Sequence, residues 1–218
     1  MNFMKLSEFH HILAAILILT IITSFSFALN SQWENVVKSL IFSAIIISLS
    51  AVSKKIAAHL LDMGVEQEIW QIRHYGLLPP YIRLKRPLPI GIILSIILSL
   101  LTLGRLKFSA ILTFEARALK YRASKRFGPY SFTEITDWHN GLIGAASTSC
   151  LLLLSLIAYF LPGSNLEYLA KISAYYVFWN LLPISKLDGS QIFFGSRILW
   201  AILTTISAIF VFLAVTLI

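Results

Sequence analysis

Long stretches without a charged side chain constrain this chain more than any other feature. Residues Ile12–Leu29 and Ile198–Ile218 contain no charge, and each approaches the roughly 20 apolar residues with which an α-helix crosses a bilayer. Over the whole chain 57% of the residues are hydrophobic and 13% are charged. A soluble domain carries about 25% charged residues. A water-soluble fold of 218 residues could not bury this much apolar surface, so the sequence predicts an integral membrane protein.

Six hydrophobic segments predict an all-α membrane protein that forms a single domain over residues 1–218. Four segments are long enough to span a bilayer: Ile12–Leu29, a segment from Val36 to Leu61 that continues past Lys54 and Lys55, about Gly141–Leu161, and Ile198–Ile218. Two are shorter: Leu88–Gly104, which begins beside prolines, and Ile172–Ser185, which Pro183 interrupts.

Two basic regions flank the third segment. Residues 62–87 and 105–137 both carry several lysines and arginines, and such loops usually lie on the cytoplasmic side. If both do, Leu88–Gly104 enters and leaves the membrane by the same face as a re-entrant hairpin covered by protein. An ordinary span that violates the charge rule is the alternative. The composition of Lys107–Phe114 favours a short strand at the membrane edge.

The net charge of +8 is explained most simply by orientation, because lysine and arginine collect in loops that face anionic headgroups. No stretch interleaves base-stacking aromatic residues with arginine in a soluble module, so nucleic acid is not expected as a partner. The lipid bilayer is the partner that the composition implies. The single cysteine, Cys150, allows no disulfide framework within the chain.

The stretch Asn180–Gly189 (NLLPISKLDG) places polar and charged residues beside an apolar segment. Such residues are costly to bury in a membrane, so they tend to face a cavity or a partner. Pro183 removes a helical hydrogen bond, and Gly189 permits a tight turn after Asp188. Two interpretations stay open. Either a broken helix holds the Asp188 carboxylate at membrane depth, or a helix ends there and Asp188 lies at the interface.

The spacing N-x-x-P-x-x-x-L-D-G, formed by Asn180, Pro183, Leu187, Asp188 and Gly189, resembles the second motif of the site-2 protease family. These proteins are intramembrane zinc metalloproteases. The resemblance implies that Asp188 stands at the position of the third zinc ligand. It also implies that Asn180 stands where the family places a residue that helps to position the substrate backbone.

Two earlier segments are similar to the same family in order and spacing, so the resemblance covers about residues 40–200. Lys55–Ala58 and Met63–Glu68 resemble the sequence that follows the family's H-E-x-x-H motif, which places that motif on Ser50–Lys54. Gly144–Thr148 lies where the family often has G-P-x-x-N at the start of its next core helix. The resemblance therefore implies a site-2-protease-like core.

The residues that the family uses for catalysis are replaced in this chain. Ser50 and Lys54 stand where the two zinc-binding histidines are expected, and Ala51 stands where the general-base glutamate is expected. A catalytic zinc needs three protein ligands, and a protonated lysine has no lone pair to offer. Alanine cannot accept a proton from a zinc-bound water. We therefore expect no intact catalytic residue and no metal, with Asp188 the only surviving residue of ligand type.

If the fold resembles that of the family, Lys54 meets Asp188 where the zinc would sit. The cation would then keep the carboxylate ionised, as opposite charges do at close range. The alternative is that the Lys54 side chain extends to the headgroups beside Lys55. The expected pocket comprises Lys54, Asn180, Pro183, Asp188, Gly189 and Gly144.

The resemblance implies a catalytically inactive site-2-protease-like protein of the cell membrane, prokaryotic and more narrowly archaeal in character. It would bind or regulate a membrane protein or a transmembrane peptide, with Asn180 and Lys107–Phe114 as the contacting parts. Three alternatives stay open. The first is an active intramembrane metalloprotease with a non-standard zinc site. The second is a small transporter or channel component that uses the charged cavity, and the third is a structural membrane subunit without a ligand.

Overall fold

The computed structural model describes residues 6–72, 87–104, 107–119, 136–161 and 164–216. Within these ranges, four helices are long and apolar enough to cross a membrane, which supports the prediction of a membrane protein. They are α1 (Leu6–Leu29), α2 (Trp33–Leu60), α4 (Asp137–Phe160) and α7 (Arg197–Thr216). Each corresponds to one of the four long segments in the sequence.

The two shorter hydrophobic segments form helices whose bounds differ from the expected ones. The third segment contains α3 (Ile90–Leu101), whose 12 residues extend for about 18 Å, less than the roughly 30 Å of a bilayer core. The fifth segment was placed at Ile172–Ser185, but the helix there is α5 (Ser164–Asn180). It ends before Pro183, so the proline follows the helix rather than interrupting it.

Helix α2 continues past Lys54 and Lys55, as the absence of a helix breaker predicted. It ends at Leu60, and the chain then reverses through Asp62, whose φ of 57° is in the left-handed region. This turn leads directly into a strand, β1. The strand occupies Met63–Ile69 and alternates buried with half-buried residues.

A two-stranded antiparallel sheet accompanies the helices, and one of its strands overlaps the strand that was predicted. Strand β2 (Leu112–Ala118) pairs with β1, with Met63 opposite Ala118 and Ile69 opposite Leu112. The expected strand at Lys107–Phe114 is therefore displaced along the chain. The assignment of residues 62–87 to a loop is wrong for Met63–Ile69, which forms β1.

The described residues between Trp70 and Ile111 form a hairpin that begins and ends beside Trp70. The Gly91 amide, near the start of α3, donates to the Trp70 carbonyl, and the Trp70 amide donates to the Ile111 carbonyl. At the far end of the hairpin, Gly104 packs against Phe25 near the end of α1. Of the two interpretations of this segment, these contacts favour the hairpin over an ordinary span.

The main hydrophobic core lies between α1, α2, α4, α5 and a further helix, α6 (Asp188–Gly195). A second cluster gathers aromatic side chains of the hairpin, including Trp70 and Phe108, beside Leu187. Helix α7 contributes little to the core, since its buried residues are only Leu203, Ser207 and Ala214. Most basic residues of the two regions that flank α3 lie outside the described residues: Arg73, Arg83, Lys85, Arg86, Arg105, Lys120, Arg122, Lys125 and Arg126.

Candidate functional site

The centre of the candidate site is an ion pair between α2 and α6. Lys54 Nζ lies 2.7 Å from Asp188 Oδ2, and the two side chains are 1% and 2% exposed. Lys54 Nζ also lies 5.0 Å from the centroid of the Phe114 ring on β2, which adds a cation–π contact. The structure thus brings together the lysine and the aspartate that the sequence analysis paired. The alternative, in which Lys54 extends to the headgroups, does not describe this buried side chain.

A break between two helices delivers Asp188 to the pair. Helix α5 ends at Asn180, and α6 begins at Asp188 after a turn in which Ser185 has a φ of 54°. The Ser190 hydroxyl donates to the carbonyls of Ser185 and Leu187 and so holds the turn against the start of α6. Of the two interpretations of this stretch, the broken helix with a buried carboxylate fits the structure.

Gly189 and Gly144 allow helix α6 to lie close to its neighbours. A Cβ atom on Gly189 would come within 2.1 Å of the Leu181 carbonyl oxygen, so only glycine fits at this position. On α4, a Cβ atom on Gly144 would lie 3.1 Å from Ile192 and 3.5 Å from the Asp188 carbonyl oxygen. Both glycines therefore hold the backbone of α6 in the place that brings Asp188 to Lys54.

Ser50 and Ala51, the other two positions where the resemblance places catalytic residues, are buried but make different contacts. Ser50 Oγ lies 2.9 Å from Ser147 Oγ, a hydrogen bond that joins α2 to α4. Ala51 is buried in the main core. Ser50 and Lys54 are one turn apart, so both face the interior from the same side of α2.

The remaining pocket residues differ in exposure. Asn180 is buried, and its Nδ2 donates to the Tyr176 carbonyl over 2.8 Å. Within the described residues, Asn180 Oδ1 and Asp188 Oδ1 are buried and accept no hydrogen bond. Pro183 is exposed in the turn and does not line the interior. The site therefore holds two unsatisfied acceptors beside one ion pair.

The residues of the site do not fit a zinc ion. Among the described residues, the charged group paired with Asp188 is the Lys54 ammonium, which repels a cation and offers no lone pair. In the part of the chain that the structure describes, no three His, Cys, Asp or Glu side chains form a group that could hold a metal. That the protein binds no metal remains a prediction.

The outer edge of β2 runs beside this site and is open in the sense that no strand among the described residues pairs with it. Leu112 and Phe114 are buried along this edge, and Ala116 is half-exposed. Ile111 accepts a hydrogen bond from the Trp70 amide and so faces β1. Because pairs in an antiparallel ladder alternate, Leu112, Phe114 and Ala116 direct their backbone groups away from β1. The three outward N–H groups have no backbone acceptor among the described residues.

A groove runs along this open edge of β2. The side chain of Gln191 on α6 donates to the Phe114 carbonyl over 3.0 Å, which confirms the outward direction of that carbonyl. Lys186, in the turn before α6, forms an exposed ion pair with Glu115. The groove is lined by residues of β2, of the turn and of helices α4 and α6, among them Ala116, Asn140, Ser185, Ser190 and Phe194.

Sequence reasoning did not single out Ser147 or Gln191. Each lies three residues after a predicted pocket residue on the same helix, Ser147 after Gly144 and Gln191 after Asp188. Residues three apart share a helix face, so the spacing alone could have indicated both.

Comparison with known proteins adds no family. No family model, no curated protein and no solved structure matches the chain. The resemblance to the site-2 proteases therefore depends on the residues of the motif and on their spacing.

Proposed function

We propose that this protein is a catalytically inactive, site-2-protease-like protein of the prokaryotic, and more narrowly archaeal, cell membrane. In this proposal all six hydrophobic segments belong to one membrane domain with a site-2-protease-like core. Its role is to bind an extended segment of a membrane protein or transmembrane peptide. The open edge of β2 receives that segment, next to the ion pair that replaces the metal.

The buried pair between Lys54 and Asp188 is the observation that carries the proposal. The resemblance puts a zinc ligand at each of these two positions, and their side chains are 2.7 Å apart. An ammonium group at this distance supplies the positive charge that the carboxylate needs. It does so without activating water, because Ala51 is no base. The site therefore favours structural support of a binding surface over hydrolysis.

The groove beside β2 supports an extended peptide as the ligand. A peptide that adds to an exposed strand edge gains main-chain hydrogen bonds, and flanking side chains give specificity. Ala116 offers a half-exposed outward backbone group, and the outward groups of Phe114 and Leu112 continue the edge at the required spacing of two residues but are buried. The contacting strand is then Leu112–Ala118 rather than the expected Lys107–Phe114, and Asn180 acts from the side of the buried pair.

Photo-crosslinking in native membranes tests this function. A photoreactive residue replaces Phe194, which is exposed in the groove, and a matched control replaces Phe212, which is exposed on α7. We expect a discrete protein adduct from position 194 and none from position 212. Equal adducts from the two positions would contradict a binding site in the groove.

Ala116→Pro separates strand addition from other modes of binding. Proline removes the outward N–H of residue 116 but leaves the ladder with β1 intact, and edge strands tolerate proline in this orientation. We expect this substitution to abolish the adduct from position 194 while the melting temperature of the protein stays unchanged. An adduct that persists at full yield would show that the partner does not extend the sheet.

A further inference from the structure

We propose that the protein binds the phosphate of an anionic lipid headgroup between Lys107 and Lys171, beside the ring of Tyr168. This site lies at the opposite end of α2 from Lys54. The inference is independent of the proposed function, because it uses neither the ion pair nor the groove.

The position of Tyr168 puts the site near the ends of the spanning helices. The Tyr168 hydroxyl donates to the Thr23 carbonyl over 2.8 Å, and its ring packs edge-on against Phe27 with the centroids 5.4 Å apart. Both partners lie in the last two turns of α1, which ends at Leu29. The exposed Trp33 at the start of α2 marks the same end, as expected for a side chain at the interface.

Two lysines converge on this tyrosine. Lys107 Nζ lies 5.3 Å from the centroid of the Tyr168 ring, and Lys171 is three residues beyond Tyr168 on the same helix face. Both lysines are half-buried. Burial first, and the charge of Lys171 second, lower the pKa of Lys107.

No acidic side chain in the described ranges neutralises this pair. Glu167 lies one turn before Lys171, but it is exposed and forms no ion pair with it. Two half-buried cations that have no counter-ion among the described residues favour an anion that accepts hydrogen bonds from both. A phosphate group has that chemistry. Tyr168 lies near the ends of the spanning helices, where lipid headgroups lie, and this position favours the phosphate of a lipid over a free phosphate ion.

The test uses the full-length protein in nanodiscs of phosphatidylcholine, with or without phosphatidylglycerol. Native mass spectrometry counts retained lipids, and thermal unfolding measures the stabilisation. We expect phosphatidylglycerol to be retained and to raise the melting temperature. Lys107→Gln and Lys171→Gln should each weaken its binding about fivefold, because a lysine near anionic lipid contributes about 1 kcal/mol. A parallel arm adds inorganic phosphate to the discs of phosphatidylcholine, and stabilisation there as large as that by phosphatidylglycerol would overturn the lipid assignment.

Two further variants keep the test specific. Lys38→Gln removes a positive charge at the same end of α2, one that already pairs with Glu34, and should change lipid binding less than about twofold because the neighbouring carboxylate offsets this charge. The double variant Lys107→Arg and Lys171→Arg keeps both charges and should retain binding. Equal retention by the wild-type protein and the glutamine variants would overturn the proposal, and so would an equal loss in Lys38→Gln or in the arginine variant.

Discussion

Lys54 and Lys55 are adjacent in the chain and bind carboxylates on different sides of α2. Lys54 pairs with Asp188 on α6, and Lys55 Nζ lies 2.9 Å from Glu8 Oε2 on α1. Successive residues on a helix point about 100° apart, so each lysine reaches a different neighbour. The Glu8 carboxylate also accepts a hydrogen bond from the backbone amide of Gln67 in β1. Two side chains thus connect α2 to the sheet and to the first and sixth helices.

Removal of either partner of the inner pair should destabilise the protein strongly. We expect Lys54→Ala and Asp188→Asn each to lower the free energy of unfolding by about 3–5 kcal/mol, because the other group stays buried and unpaired. The double variant should lose less than the sum of the two single losses. Unfolding in mixed detergent micelles, followed by circular dichroism, measures all four proteins of this cycle.

An exposed pair on the same helix provides the comparison for that cycle. Lys38 and Glu34 form an ion pair one turn apart, and Glu34 is 82% exposed. Their coupling should be only about 0.3–0.5 kcal/mol. Strict additivity at Lys54 and Asp188, or a coupling no larger than that of the exposed pair, would contradict a structural role for the buried charges.

Gly189 should tolerate no larger residue. In Gly189→Ala the new Cβ would meet the Leu181 carbonyl oxygen at 2.1 Å, and its nearest neighbours are all backbone atoms of Leu181 rather than a side chain that can move away. We expect the free energy of unfolding to fall by about 3 kcal/mol or more. The fraction of protein that stays monodisperse after extraction in mild detergent should fall with it. Gly144→Ala is the control, since it meets the flexible Ile192 side chain at 3.1 Å and should cost clearly less.

The sequence contained enough information to place Lys54 opposite Asp188, because a helix without breakers fixes the face of residue 54 and the motif fixes residue 188. The spacing could place Ser147 on the same face of α4 as Gly144, but it could not give the hydrogen bond between Ser147 and Ser50. That contact depends on how far α4 rotates about its axis, and packing with α6 through Gly144 sets this rotation. Small polar residues inside apolar helices give little sign of it.

At the level of the elements, four long helices could be predicted from length and hydropathy, whereas the strands were harder. Strand β1 has the alternation of a half-buried strand, with Met63, Val65 and Ile69 inward. Gln67 occupies a buried position in the same series and interrupts the apolar pattern. A short strand with one polar residue on its inner face resembles a charged loop, and this is why β1 was missed.

Close packing at Gly91 holds the hairpin to the sheet. A Cβ atom there would lie 2.8 Å from the Ile111 carbonyl oxygen and 3.1 Å from Trp70 Cβ. We expect Gly91→Ala to lower the free energy of unfolding by about 1–3 kcal/mol and to speed hydrogen exchange over 107–118. Gly64→Ala, with its nearest contact at 3.5 Å, should stay within about 0.5 kcal/mol of the wild type. Equal stability of the two variants would argue against tight packing of the hairpin.

At the level of the whole molecule, the hairpin changes how the positive charge is distributed. Residues 105–137 were treated as one basic loop, yet Lys107 lies near the end of α1 while Arg117 lies in the sheet beside Glu66. Charge counting assumes that neighbouring residues share a side of the membrane. A short helix followed by a returning extended segment violates that assumption, so the topology could not be obtained from the sequence alone.

The absence of zinc is a prediction about the whole protein. Metal analysis of protein from zinc-replete cells should give no stoichiometric zinc, and a chelator should leave the melting temperature unchanged. The triple variant Ser50→His, Ala51→Glu and Lys54→His serves as the positive control. It introduces two histidines one turn apart opposite Asp188 and should retain zinc. Stoichiometric zinc in the wild type, lost on Asp188→Ala, would instead support the metalloprotease alternative.

The adjacent lysines Lys54 and Lys55 also impose an order on biogenesis. When the ribosome has made α2, Glu8 already exists, so Lys55 can be neutralised as the first two helices enter the membrane. Asp188 is translated much later, and until then the Lys54 charge has no counter-ion in the lipid, where an isolated charge costs at least about 3 kcal/mol. Insertion of α2 must therefore leave that residue in contact with water, the translocon or a chaperone until the last third of the chain arrives.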